Sequence, residues 1–345
     1  MTDTDRDDRH DPYLWDGSGE PDPDVVRLEE TLSALRHRGT MPALPARDVA
    51  QTRAAVRLRP WLAAAAALVL IAGGWFAISL GRTSWDVRGV TGAPAVDGRA
   101  ISGRARLGRG EWLVTDGASR ARVAVGRIGS VDVEPNTRIQ LVAAGGREHR
   151  LALEAGTIHA RIWAPPKFFY VNTKAAVAVD LGCAYTLHVD ERGQGLLRVT
   201  HGWVGFERDG RDTYVPEGAV CATRADKGPG TPRYEDASSG YGEALMLLDF
   251  GPPDAPGRSA ALDFVLANAR RRDAMTLWHL LTRGTHDERA RVYDRLAVLA
   301  PPPRGVTRDA VLKGNGAALS IWWDALGVDA TTWWRLFKKK VGVRQ

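Results

Sequence analysis

The chain has 345 residues, 44% of them apolar, and 47 Lys and Arg against 41 Asp and Glu, for a formal net charge of +6. This excludes an intrinsically disordered chain and gives length for two or three domains. The excess charge is arginine dispersed through the sequence. No stretch interleaves basic and aromatic residues as a nucleic-acid platform requires, so no nucleic-acid partner is expected.

The first dozen residues are charged and carry no hydrophobic period, which predicts disorder. A helix is expected from about residue 22 to 37. Asp22 suits the N-cap and Pro23 the first helical position, and Val25, Leu28, Leu32 and Leu35 recur at steps of three and four to make one apolar stripe. A single helix cannot bury its own stripe, so these four residues are candidate partner contacts, with the membrane surface as the other place for them. Tyr13-Leu14-Trp15 stands ahead of the helix as a further apolar anchor, and Thr40 to Ala46, with Pro42 and Pro45, reads as a linker.

Trp61 to Leu80 is an uncharged run of 20 residues, with Arg53, Arg57 and Arg59 before it and Arg82 after it. At about 1.5 Å per residue it matches a hydrocarbon core roughly 30 Å thick, so a transmembrane helix is expected over 60–81. A signal peptide starting at Met41, with Ala77-Ile78-Ser79 as a loose cleavage pattern, is the rival reading. Charge bias and the larger mass after Leu80 favour a cytoplasmic amino terminus. The expected localisation is therefore the bacterial inner membrane, single-pass, with residues 1–59 as a cytoplasmic tail and the bulk of the chain periplasmic.

From about 85 to 235 the period changes to two, as in Val131/Val133, Ile139/Leu141, Leu151/Leu153, Ile158/Ala160/Ile162, Leu187/Val189 and Leu197/Val199. Asp116-Gly117, Gly145-Gly146, Gly193 to Gly195 and Asp209-Gly210 supply turns. The pattern predicts an all-β domain: a sandwich, a jelly roll or a short β-solenoid. Both cysteines, Cys183 and Cys221, lie here and are candidates for a disulfide, the alternative being two buried free thiols. His188 and His201 lack the spacing of a zinc set, so no metal or cofactor is expected.

The stretch from Leu153 to Glu207, with Gly156, Ile158, Ala160 and Ile162 alternating on one strand, a corner at Val171-Asn172-Thr173-Lys174, Leu181-Gly182-Cys183 followed by Tyr185, and Gly202, Val204 and Gly218 further on, resembles the FecR domain of bacterial membrane regulators. The resemblance covers roughly residues 90–224. It implies an extracytoplasmic sensing domain coupled to a cytoplasmic segment that controls a sigma factor, and hence a possible sigma factor as the inside partner and an envelope partner outside. The tail lacks the Cys/His zinc motif of many anti-sigma domains, and an iron-siderophore role is not implied.

Residues 240–345 turn helical. Tyr241 to Phe250, Ala260 to Arg283, a helix bearing Val292, Tyr293 and Leu296 that Pro301-Pro302-Pro303 stops, and segments at Thr307 to Leu312, Ala317 to Leu326 and Thr331 to Lys340 predict stacked helical pairs of HEAT type, an interaction module. Glu288, Asp294 and His286 fall mainly on the polar face, and no GxSxG, P-loop, GxGxxG or HExxH pattern occurs, so no enzyme is expected. Trp322-Trp323 and Trp333-Trp334 are unusual. Successive helical residues point about 100° apart, so one of each pair can enter the core while the other, here Trp323 or Trp334, stays at the rim as a candidate docking contact. The leading expectation is a single-pass FecR-like regulator of a sigma factor; the alternative is a membrane-tethered scaffold with no transcriptional role.

Overall fold

The structure is a computed structural model that describes residues 18, 20, 23–35, 84–146, 148–208 and 211–327. The chain divides into two units, Met1–Ala63 and Ala64–Gln345.

In the first unit, helix α1 spans Pro23–Leu32 and continues as a 3-10 turn over Ser33–Leu35. Thr31 Oγ1 donates to the Arg27 carbonyl at 2.8 Å and Ser33 Oγ to that of Glu30 at 2.7 Å. No residue of α1 is buried. The expected cap Asp22, the Tyr13-Leu14-Trp15 anchor and the linker lie outside the described residues.

The described residues give no support to the expected transmembrane helix. Among the described residues no helix is long and apolar enough to cross a membrane. The longest has 14 residues, about 21 Å at 1.5 Å each, well short of a bilayer core of roughly 30 Å. Trp61 to Leu80 itself lies outside the described residues.

In the second unit the strands are β1 (Ser84–Thr91), β2 (Ala95–Val96), β3 (Arg99–Ala100), β4 (Arg104–Gly108), β5 (Trp112–Val114), β6 (Arg120–Val125), β7 (Gly129–Val133), β8 (Arg138–Gly145), β9 (Glu148–Ile162), β10 (Phe169–Asn172), β11 (Val177–Asp180), β12 (Ala184–Val189), β13 (Gly195–His201), β14 (Trp203–Arg208), β15 (Arg211–Pro216), β16 (Ala219–Arg224), β17 (Gly228–Pro229) and β18 (Arg233–Tyr234). They form one hydrogen-bonded network, antiparallel except where β10 runs parallel to β9. The predicted alternation is the packing pattern: Val131, Val133, Ile139, Leu141, Leu151, Leu153, Ile158, Ala160, Ile162, Leu187, Val189, Leu197 and Val199 are all buried.

The expected sandwich, jelly roll or solenoid gives way to one curled, mostly antiparallel sheet, and β9 is the reason. Its first half pairs with β8 and β10, its second half with β7 and β12. The buried positions change phase between Leu153 and Ile158, and Gly156 sits between them with φ +102. A Cβ there would stand 2.3 Å from Thr137 Oγ1 and 2.4 Å from Thr137 Cα, so only glycine allows this close approach. Two apparent strands are thus one continuous strand that turns the sheet over.

Helices follow: α2 (Ser239–Phe250), α3 (Arg258–Asn268), α4 (Ala274–Leu281), α5 (His286–Leu299), α6 (Arg308–Leu312) and α7 (Gly316–Ala325). Thr285 caps α5 and Glu288 closes the capping box, while Thr307 and Asn315 cap α6 and α7. Among the described residues the expected HEAT-like stack of helical pairs is not formed. The helices share one core with the strands instead of burying their faces only on each other. Trp323 packs on Tyr214 of β15 at 5.7 Å between ring centroids, Thr276 donates to the Pro232 carbonyl at 2.9 Å, and Arg283 reaches Thr213 Oγ1 at 2.6 Å.

Candidate protein-binding site

The residues singled out by sequence have different surroundings within their own units. On α1, Leu28 is 64% exposed, Leu32 51% and Leu35 79%, with Val25 half-buried, and all four belong to one formed helix and its terminal turn. That is an apolar stripe held in helical geometry and presented to solvent.

Trp323 has the opposite surroundings. It and Trp322 are each 0% exposed, because α7 is enclosed from two directions. Trp322 donates from Nε1 to the Ala300 carbonyl at 3.1 Å and meets the Tyr293 ring edge-on at 5.1 Å. Trp323 lies against Trp278 at 4.6 Å, His279 at 5.4 Å and Tyr214 at 5.7 Å. Trp323 is therefore core and not a docking contact. Trp334 lies outside the described residues.

Cys183 and Cys221 are free and buried. The Cys183 thiol donates to Asp180 Oδ2 at 2.8 Å, and the Cys221 thiol to the Gly230 carbonyl at 3.2 Å. Burial pushes the Cys183 thiol well up from its ordinary range and the Cys221 thiol to about 12, so neither supplies a thiolate nucleophile near neutral pH.

Two features are not visible in the two-residue period. Asp180 ends the apolar strand β11 and is 2% exposed; burial raises its carboxyl to about 7 against the opposing hydrogen bonds from Cys183 and from the Gly182 amide at 2.7 Å. The hydroxyl of Tyr185 is buried beside this group with no hydrogen-bond partner among the described residues, and burial, with the Asp180 charge second, pushes it well up. The signal was a charged residue closing Val177-Ala178-Val179, where alternation had already declared the strand buried. The second is Trp163, 76% exposed immediately after buried Ile162. Strict alternation past Ile162 would have placed it outward.

An open groove of about 440 Å³ runs between β13, β16 and α2, lined in part by Leu196, Val220, Arg233, Leu245 and Met246. Its Asp249 is already engaged by the Thr231 amide at 2.6 Å, by Thr231 Oγ1 at 2.7 Å and by Arg283 at 3.4 Å. Among the described residues no group of three or more His, Cys, Asp or Glu is arranged to hold a metal ion.

No protein-family model matches the chain, and no curated protein matches it. Two crystal structures of a protein designated an anti-sigma factor from Parabacteroides distasonis, at 1.65 and 2.50 Å resolution, are similar in structure to this chain. Each is 14% identical in sequence with a TM-score of 0.33, and the matches cover 39% and 40% of this chain. The chain spans 64% of the length of that protein, and a likeness at this level does not define a shared activity.

Proposed function

We propose that the chain is a protein-binding regulator of anti-sigma type, which holds a sigma factor on the apolar stripe of α1. The observation that carries this reading is the formed helix with Leu28, Leu32 and Leu35 exposed: such a stripe gains stability only when a partner's groove covers it. The choice of a sigma factor as that partner draws on the FecR resemblance of residues 90–224. In this reading the Ala64–Gln345 unit stands at the bacterial envelope and receives the signal, and a change there alters the hold of α1.

The test is binding of the full chain to the sigma factors of its source bacterium, compared with a Leu28→Asp/Leu32→Asp variant. Burying one leucine contributes about 1.5–3 kcal/mol, so losing two weakens binding about a hundredfold or more. A wild-type chain that captures none of the sigma factors, or a double variant that binds as tightly as wild type, overturns the proposal. The first outcome would leave a partner-binding scaffold with no transcriptional role.

A further inference from the structure

The part of the sheet built by β4, β1, β6, β7 and the second half of β9 turns its apolar positions inward. Trp85, Val87, Leu107, Val123 and Val131 are buried, and the residues that alternate with them point outward. The register sets one outward row across these strands: Arg104 stands opposite Arg88, Arg88 opposite Arg122, Arg122 opposite Asp132 and Asp132 opposite His159. Three arginines are therefore abreast, at steps of about 4.8 Å, before the first acid. Like charges directly opposite one another on a sheet repel, so this arrangement does nothing to stabilise the fold.

The acids nearby are engaged elsewhere. Asp132 is held by Arg122 and Arg161, and Glu134 by Arg120 at 3.0 Å, with His159 Nε2 at 3.5 Å. Glu111 Oε2 accepts from the Gly108 amide at 2.7 Å, at the far end of β4. Asp97 lies in the turn between β2 and β3, and Asp116 in the turn before β6, where it accepts from the Ala118 amide at 2.9 Å. Asp86 approaches Arg106 only to 3.9 Å, with the two side chains 81% and 71% exposed. Arg88 and Arg104 are exposed and form no ion pair among the described residues. Between Ser84 and Ile128 the chain holds eight arginines against four acids, so the positive excess belongs to this end of the sheet and not to a single row.

This end is also an edge. β4 pairs with β1 on one side and, among the described residues, with no strand on the other. The other edge strands differ. β15 carries Arg283 on Thr213 at 2.6 Å and Trp323 on Tyr214, β16 pairs with β17 and β18, and β3 is two residues long. An edge strand offers main-chain N–H and C=O groups to an extended segment, and the charge along it decides which segments can add. Arg104 and Arg106 turn away basic segments and select one whose alternate residues are carboxylates.

We propose that β4 is the docking edge for an extended acidic segment of a partner protein, which adds as a strand and sets carboxylates against Arg88, Arg104 and Arg106. Alternate residues on a strand lie about 6.6 Å apart on one face, so the recognised pattern is acid-x-acid. Repulsion along the row of Arg104, Arg88 and Arg122 becomes attraction once carboxylates lie between the guanidinium groups. A polyanion without strand geometry, such as a nucleic acid, meets the charge but leaves the backbone groups of β4 unpaired. The inference does not depend on what α1 binds.

The experiment follows fluorescence anisotropy of a dye-labelled peptide alternating Glu and Thr, titrated with the full chain. The controls are a Lys/Thr peptide of the same length and a Glu/Thr peptide N-methylated throughout, which keeps the charge and loses the backbone donors. The expected result is binding of the Glu/Thr peptide, none of the Lys/Thr peptide, and binding about tenfold weaker or more for the N-methylated one. Arg88→Gln/Arg104→Gln, at two exposed positions, should weaken binding about tenfold, and Arg88→Glu/Arg104→Glu should transfer the preference to the Lys/Thr peptide. No binding of the Glu/Thr peptide, or unchanged binding by the Gln variant, overturns the proposal. An N-methylated peptide that binds as tightly as the unmodified one, or a heparin fragment of equal charge that displaces the peptide more readily than unlabelled peptide does, also overturns it, because the face would then be a general polyanion surface.

Discussion

Helices α1 and α7 are both ten residues long, and both carry apolar residues that the sequence marks as partner contacts, yet they end in opposite environments. Every apolar residue of the α1 stripe keeps solvent access, whereas Trp322 and Trp323 on α7 keep none. The difference lies in what surrounds each helix. Trp322 finds Tyr293 and the Ala300 carbonyl on one side, and Trp323 finds Trp278, His279 and Tyr214 on the other. An apolar pattern shows that a face needs covering; only tertiary structure shows whether the chain covers it.

The strongest way to break the comparison is to truncate α7. Trp322→Ala or Trp323→Ala should each cost about 3–5 kcal/mol, because a fully enclosed indole leaves a cavity its neighbours cannot fill. Urea unfolding checks this, and a loss below about 1 kcal/mol would mean that α7 is held less tightly than its burial states.

The packed unit also carries a pH dependence that α1 lacks the burial to produce. The Asp180 carboxyl is raised from its ordinary value to about 7 by burial. The folded state therefore keeps a proton that the unfolded chain has released between about pH 4 and 7. The resulting stability is fully present below about pH 4 and is lost as pH rises to 7, an effect on the order of 4 kcal/mol. Asp180→Asn should flatten the denaturation midpoint across this window, since its amide oxygen can still accept from Gly182; an unchanged slope would assign the dependence elsewhere. A smaller loss, about 2 kcal/mol, is expected for Gly156→Ala, where positive φ and the approach of Thr137 both oppose a Cβ, again read by urea unfolding.

These sites also show how far the sequence could be read. The spacing of Val25, Leu28 and Leu32 predicts α1 closely, and the two-residue period finds the buried face of most strands. Strand pairing was not legible, because alternation states which face is buried and not which neighbour lies beside it. The phase change between Leu153 and Ile158 was in the sequence, but by period alone it looks like a strand break and not a bend at Gly156. Trp322 and Trp323 do point about 100° apart, but α7 is covered from two directions, so both are enclosed. The helices of the second unit are legible as elements, yet their packing on Tyr214, Thr213 and Pro232 depends on contacts 44 to 109 residues apart in sequence, beyond any local period.

The smallest expected effect on stability is the most discriminating. Leu28→Asp and Leu32→Asp on α1 replace side chains already 64% and 51% exposed, so each should move the unfolding midpoint by no more than about 0.5 kcal/mol. Aspartate is a weaker helix former than leucine by a few tenths of a kcal/mol, which sets the direction of that change. If binding of a sigma factor is lost while the midpoint holds, the stripe is an interface and not a face that the chain itself covers. If the double variant instead destabilises the chain by 2 kcal/mol or more, as the α7 substitutions should, these leucines belong to a packed core and the contrast between the two helices disappears.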